Sequence, residues 1–358
     1  MVFRRLHFDQ KLKINKTSIF VDRLLQTLML GIGFSLLLML VTSCTSKPSS
    51  LTTLSTDPLT LSSSQPITET PDNTVPVLAY YYIWFDTKSW DRAKADYPLL
   101  GRYSSDDADV MRQHIQWAKE AGIDGFIVSW KSTEKLNHRL DQLVKIAEQE
   151  NFKLAINYEG LDFDRRPLPL EQVDADMNYF VQHYADLTVF YLFEKPMMIW
   201  SGTWKYSMDE IKHVTQTKRN DILILASEKN VEGYQRLSEF VDGDAYYWSS
   251  VNPDSHSNYL DKLTAMGETI HKNGGLWIAP AAPGFDARLV GGTSVVERKN
   301  GQTLRRELKT ALQSLPDAIG LISWNEFSEN SHVEPSQDHG NLYLKVLSET
   351  RLVAPIPK

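Results

Sequence analysis

From residue 76 onward, short apolar runs rich in β-branched and aromatic residues alternate with amphipathic stretches of helical period, the texture of repeated β-α units. The runs predict strands over 77–85 (VLAYYYIWF), 125–130 (GFIVSW), 153–158, 197–200, 222–226, 245–248, 276–279 and 319–324. Between the first two, apolar positions at helical spacing predict a helix over 105–121 that buries Val110, Ile115, Trp117 and Ala118, with Gly122 stopping it. A second begins near Thr133 and carries Leu136, Leu140, Leu143 and Ile146 on one face, and a last one covers 342–352. Eight strand-helix pairs in about 280 residues predict an α/β fold, a single (β/α)8 TIM barrel, which typically takes about 250 residues. A doubly wound open sheet fits less well, because no Gly-rich phosphate loop follows the first run.

The first 75 residues do not share this rhythm. Arg4, Arg5, Lys11, Lys13, Lys16 and Arg23 precede an apolar run over 24–41, the pattern of an export signal, although the run also approaches the roughly 18 residues of a membrane span. Cys44, the one cysteine of the chain, directly follows Val41-Thr42-Ser43 and resembles the end of a bacterial lipobox. The expected organisation is a signal peptide over 1–43, a lipidated Cys44 opening a flexible Ser/Thr/Pro-rich tether over 44–75, and the barrel over 76–358. Such a protein is exported and tethered to a membrane by its lipid, at the bacterial cell surface or in the periplasm. With one cysteine no internal disulfide is possible, so the core must hold the domain. A content of 42% hydrophobic and 23% charged residues suits that. The formal net charge of -7 supplies no basic field, which argues against nucleic acid as a partner, and nothing points to an obligate protein partner.

In a barrel of this kind the catalytic groups follow the C-terminal ends of the strands. Those positions hold Tyr82, Trp84, Phe85 and Asp86 after the first run, Trp130 and Lys131 after the second, and Asn157, Tyr158 and Glu159 after the third. Trp200 and Trp204, Glu228, then Tyr247 and Trp248 follow the next three, and Pro283-Gly-Phe-Asp286 with Arg288 follows the seventh. Aromatic faces and carboxylates suit a carbohydrate, whose C–H faces pack on rings while its hydroxyls need fixed polar partners. The eighth run leads into Trp324-Asn-Glu-Phe-Ser-Glu-Asn-Ser-His-Val-Glu-Pro335, where Glu326 and Glu329 are the best pair for glycoside hydrolysis. Mutual repulsion and partial burial of two acids so close in sequence would raise one pKa into the range of a general acid. Glu334 lies further along the loop and is a weaker candidate.

Other chemistries find little support. His332 and His339 with Glu334 and Asp338 lack an HExxH spacing, there is no G-x-S-x-G elbow, and Cys44 belongs to the signal, so neither a metal nor another cofactor is expected. Asp124 precedes its strand and is expected to serve the bottom of the barrel.

Four segments resemble glycoside hydrolase family 99, whose members are endo-acting α-mannosidases and α-mannanases on this barrel. They are the aromatic run YYYIWF, Gly101-Arg-Tyr-Ser-Ser-Asp106 leading to 121–130, Pro283-Gly-Phe-Asp286 with Arg288, and Asn325-Glu-Phe-Ser-Glu329. The likeness spans most of 77–334. It implies retention without a carboxylate nucleophile: Glu326 takes the proton of the substrate 2-hydroxyl, whose oxygen attacks the anomeric carbon to form a 1,2-anhydro sugar. Glu329 protonates the leaving group and later activates water. Tyr82, Trp84, Trp130, Glu159, Tyr247, Asp286, Arg288 and Asn325 would contact the sugars. The chain departs from the family pattern Asn-Glu-Trp-His-Glu-Gly-Thr-Gln-Ile-Glu at Phe327, Ser328, Asn330 and His332, and carries Asn157-Tyr-Glu-Gly160 in place of His-Ile-Glu-Pro. It therefore resembles a divergent member of the broader group that includes family 71, which acts on α-1,3-glucans.

The expected function is an exported glycoside hydrolase that cleaves internal α-linkages of an α-mannan or related glycan with retention, without a cofactor. Two alternatives are a non-catalytic carbohydrate-binding lipoprotein and a β-glycanase with Glu159 or Glu228 as a conventional nucleophile.

Overall fold

The computed structural model describes residues 74–350, so the signal segment, Cys44 and almost all of the tether lie outside the described residues. Eight parallel strands form the barrel: β1 (Val77–Tyr82), β2 (Gly125–Trp130), β3 (Lys153–Glu159), β4 (Met197–Ser201), β5 (Leu223–Leu225), β6 (Gly243–Ala245), β7 (Leu276–Ala281) and β8 (Ala318–Leu321). Neighbouring strands pair in register around the sheet, β8 lies between β1 and β7, and a parallel bridge between Ala226 and Asp244 joins β5 to β6. Eight α-helices accompany them: α1 (Ala108–Glu120), α2 (Glu134–Glu150), α3 (Leu170–Tyr184), α4 (Met208–Thr215), α5 (Val231–Leu237), α6 (Tyr259–Lys272), α7 (Gln302–Gln313) and α8 (Leu342–Glu349). Among the described residues no helix is long and apolar enough to cross a membrane.

The predicted alternation becomes two cores. Leu78, Tyr80, Ile127, Ala155, Ile199, Leu225 and Ile278 fill the barrel interior, while Val77, Ala79, Tyr81, Phe126, Val128 and Trp130 face the helices. In α1 the buried stripe is Met111, His114, Ile115 and Ala118, with Val110 and Trp117 only half-buried. Gly122, at φ +79°, supplies the left-handed turn that ends this helix, as expected.

Several strand boundaries differ from expectation: β1 ends at Tyr82 rather than 85, β6 at Ala245 rather than 248, and β7 runs on to Ala281. β6 begins two residues before the predicted 245, at Gly243, where a Cβ would lie 2.1 Å from the carbonyl oxygen of Leu276. Only glycine permits that approach to β7, and an apolar pattern starting at Ala245 gives no sign of it. β8 stops at Leu321: Ile322 N still donates to the Ala281 carbonyl of β7 at 2.7 Å and Trp324 N to the Tyr80 carbonyl of β1 at 2.8 Å, but Ser323 N between them leaves the sheet for the Ser331 carbonyl at 2.8 Å.

The lower rim is tied by aspartates that accept backbone N–H groups. Asp124 accepts from Val77 N at 2.8 Å, Asp242 from Ile224 N at 2.9 Å and Asp317 from Trp277 N at 2.7 Å. Asp124 therefore has the structural place expected of it.

Candidate active site

The strand ends open into a cleft of about 450 Å³ at the C-terminal face of the barrel, with Tyr82, Trp84, Glu159, Tyr247, Glu326 and Glu329 among its walls. A larger groove, about 750 Å³, is lined by residues from 253 to 313 along α6 and α7. It lies off the strand ends, and its arginines are taken up in ion pairs, Arg306 with Asp254 and Arg305 with Glu349. The smaller cleft holds the convergent carboxyls.

The segment after β8 sets the position of those carboxyls. The Asn325 side chain accepts from Tyr82 N at 2.8 Å and donates to the Tyr82 carbonyl at 3.0 Å, fastening the segment to the end of β1. Phe327 is fully buried, edge-on to Trp90 at 5.6 Å and stacked on His332 at 4.0 Å. With Asn325 and Phe327 drawn inward, Glu326 and Glu329 are left for the cleft. Asn330, at φ +50°, turns the chain back, and Ser331 N donates to the Glu326 carbonyl at 3.2 Å.

Glu326 is 8% exposed, with Oε1 accepting from Ser328 N at 2.9 Å. Burial, with the charge of Glu329 added, pushes its pKa up to about 7, against a smaller opposing pull from the Ser328 hydrogen bonds and Lys94. Burial raises Glu329 as well, opposed by Arg165. Beside them the hydroxyls of Tyr82 and Tyr247 share a hydrogen bond of 2.8 Å. Burial pushes both phenols far up, each acid's charge adding to it, so the pair is neutral and offers hydroxyl groups to a ligand.

Glu159 lies on the opposite wall. Its Oε1 accepts from Ser129 Oγ at 2.8 Å and Asn157 Nδ2 at 2.9 Å, and burial outweighs these bonds so that its pKa is raised. Trp84 is 41% exposed and stacks on Tyr82 at 4.4 Å, offering a ring face at the mouth. Trp204 lies under the ammonium of Lys229 at 4.1 Å.

Four expected contacts take other places. Trp130 is fully buried in the layer between barrel and helices, its Nε1 donating to Asn137 at 3.0 Å. The cause is strand alternation: Trp130, Tyr158 and Trp200 share one register row facing outward, while Ser129, Asn157 and Ile199 form the row that faces inward. Asn325 is fully buried and grips backbone rather than facing the cleft. Asp286 and Arg288 pair with each other at 2.6 Å outside the cleft wall, where Asp286 N donates to the Glu329 carbonyl at 2.7 Å. Glu228, considered above as a nucleophile, is 3% exposed and paired with Arg236 at 3.2 Å in the helix layer.

Glu334 is likewise structural. It accepts from Tyr103 at 2.8 Å and meets His114 Nε2 at 3.1 Å, below the cleft.

Several wall residues escaped the sequence pattern: Tyr80, Arg165, Ser201, Lys229 and Ser250. Tyr80 is inside a strand and Ser201 ends β4, while Arg165, Lys229 and Ser250 stand in polar loops where nothing marks one residue above its neighbours. Aromatic placement has a direct consequence. Trp84→Ala raises KM about tenfold by removing a sugar platform. Trp130→Ala destabilises the fold by about 3–5 kcal/mol and leaves KM unchanged. Steady-state kinetics and denaturant unfolding of the two variants check this.

Residues 82–345 match the family described as glycosyl hydrolase family 99. A glycoprotein endo-alpha-1,2-mannosidase-like protein of Mus musculus is 23% identical over 288 residues, covering 72% of this chain and 62% of the relative. Glycoprotein endo-alpha-1,2-mannosidase of Rattus norvegicus is 24% identical, covering 71% of this chain and 60% of the relative. The chain thus spans less than two thirds of the length of these curated relatives. A mutanase of Penicillium rubens is 22% identical, covering 67% of this chain and 53% of the relative. Among solved structures, the GH99 endo-alpha-mannosidase of Bacteroides thetaiotaomicron has a TM-score of 0.67 at 21% identity, covering 76% of this chain and 95% of that one. The two share a fold.

Proposed function

We propose that this chain, which belongs to glycosyl hydrolase family 99, hydrolyses α-glycosidic bonds inside an α-mannan or related glycan and retains the anomeric configuration. The observation that carries the reading is the pair Glu326 and Glu329, both raised in pKa by burial, in an aromatic-walled cleft at the strand ends. Burial and mutual repulsion disfavour two full charges here and favour one proton shared between the two carboxyls. That is the state a division into base and acid requires.

In the first step Glu326 takes the proton of the sugar 2-hydroxyl, and O2 attacks the anomeric carbon from the face opposite the leaving oxygen. The glycosidic bond breaks as Glu329 gives its proton to that oxygen, leaving a 1,2-anhydro sugar. In the second step Glu329, now a carboxylate, takes a proton from water, whose oxygen opens the strained ring at the anomeric carbon. Glu326 returns its proton to O2. Two inversions at one carbon give retention. Neither carboxyl bonds to the sugar, which suits two acids on one loop better than the usual pair facing each other across the ring.

The named activities of the relatives support α-mannoside as the substrate class. Asn157, which departs from the family pattern and donates to Glu159, marks the wall where the glycan preference of this chain is set. The test is hydrolysis of a panel of purified α-mannans, α-glucans and β-glycans, with products resolved by size. Internal cleavage of an α-mannan is expected, and none of the β-glycans or of the α-glucans, whose 2-hydroxyl is cis to the leaving oxygen and cannot attack from the opposite face. Release of single sugars only, or cleavage confined to α-glucans or β-glycans, would refute the reading.

For location we propose export, with lipid attached at Cys44. The support is the basic and apolar leader and the cysteine placed directly after Val41-Thr42-Ser43. Cys44→Ala is expected to move the protein from the membrane fraction to the soluble one, and an unchanged distribution would contradict the anchor.

A further inference from the structure

Three side chains of metal-ligand type converge away from the cleft. Asp96, in the loop between β1 and α1, and His332 and His339, after β8, each bring one donor atom within 4.8 Å of the others. Asp96 Oδ2 lies 3.2 Å from His332 Nε2. Two ligands of a tetrahedral ion with bonds of about 2.0 Å stand about 3.3 Å apart, so this edge needs almost no adjustment.

Asp96 and His332 are buried, and His339 is half-buried, which leaves a path from solvent. The His332 ring is held by its stack on Phe327, and its backbone carbonyl accepts from the Arg298 guanidinium. Its Nδ1 is buried without a hydrogen-bond partner, so the contact of Nε2 with Asp96 is the polar contact that orients the ring.

We propose that Asp96, His332 and His339 bind a divalent ion of the zinc type as a structural clamp. Two imidazoles and one carboxylate favour zinc over magnesium or calcium, which prefer oxygen donors alone. A water completes four-coordination. The three ligands are outside the cleft wall, so the ion takes no part in bond cleavage. It joins the β1-α1 loop to the segment that carries both glutamates, directly behind Phe327. Asp338, whose backbone N–H donates to Asp96 at 3.0 Å, adds a second negative charge near His339. Arg298 opposes the ion and limits its affinity.

The test uses purified protein stripped by a chelator and titrated with Zn²⁺ and Co²⁺. One equivalent binds, cobalt shows the strong visible absorption of a four-coordinate site, and saturating zinc raises Tm by about 5 °C. His339→Gln, at a half-buried position, abolishes both effects and leaves the metal-free Tm and the circular dichroism spectrum unchanged. Absence of a bound equivalent, a six-coordinate cobalt spectrum, or binding that survives His339→Gln overturns the proposal.

Discussion

Glu326→Gln and Glu329→Gln each lower kcat by about 10³-fold or more on a natural glycan, with KM within a few-fold of its starting value. The amide keeps the shape of the side chain and, at Glu326, an oxygen to accept the Ser328 N–H, so the loop holds its form. What disappears is the ability to take or give a proton. The two variants separate on a substrate with a good leaving group, such as an activated aryl glycoside. Glu329→Gln recovers much of the first step there, because the departing oxygen no longer needs an acid. Glu326→Gln does not, since the 2-hydroxyl still needs its base. Equal rescue of the two would show that the roles are wrongly divided, and wild-type turnover in either would remove that residue from the mechanism.

The second large effect is on stability, and its sign follows from the raised pKa. The Glu326 carboxyl has an ordinary value of 4.5 and is pushed to about 7 in the folded protein. The folded state therefore holds this proton more tightly than the unfolded chain, and the penalty for ionising it is absent below pH 4.5. It grows as pH rises and is complete above about pH 7, where it reaches about 3 kcal/mol. Glu326→Gln removes that penalty, so the inactive variant is more stable than the wild type at pH 8, by about 5 °C in Tm, and equal to it at pH 4. Thermal unfolding across this range is the measurement. A variant less stable at pH 8 would mean that the buried carboxylate is well compensated by its surroundings.

The barrel was legible in the sequence because strand-forming runs and amphipathic helices alternate without interruption, and a strict alternation leaves few topologies open. The place of Glu326 and Glu329 in the cleft was legible because they follow the last apolar run. The face of each aromatic was harder to read. Tyr80 and Tyr81, or Ser129 and Trp130, differ only in parity, and parity becomes a direction once register is set, as it is by Tyr82 beside Ser129 and Trp130 beside Tyr158. Trp130 was placed in the cleft for its position at a strand end, yet it packs under α3 with Phe180 at 6.1 Å. Asn325 had the right neighbourhood and the wrong task, because a side chain that clamps backbone has the same composition as one that binds sugar. The grouping of Asp96 with His332 and His339 joins residues 236 positions apart, and the local spacing around the histidines pointed instead to Glu334 and Asp338.

The placement of the departures from the family pattern also bears on specificity. Phe327, Asn330 and His332 act on the shape of the segment, through a ring stack and a left-handed turn, so they can vary while the two glutamates keep their direction. Asn157 and Glu159 face the cleft itself. Exchange at Asn157 is therefore expected to alter which glycan is cut, whereas exchange at Phe327 alters how well any glycan is cut.

The central claim is that O2 of the sugar, released by Glu326, attacks the anomeric carbon and that water then opens the product with help from Glu329. Proton NMR of the reducing-end anomeric signal in the first minutes of hydrolysis tests it most directly, before mutarotation mixes the anomers. The α-anomer appearing first is the predicted result, and a β-anomer appearing first would contradict the mechanism.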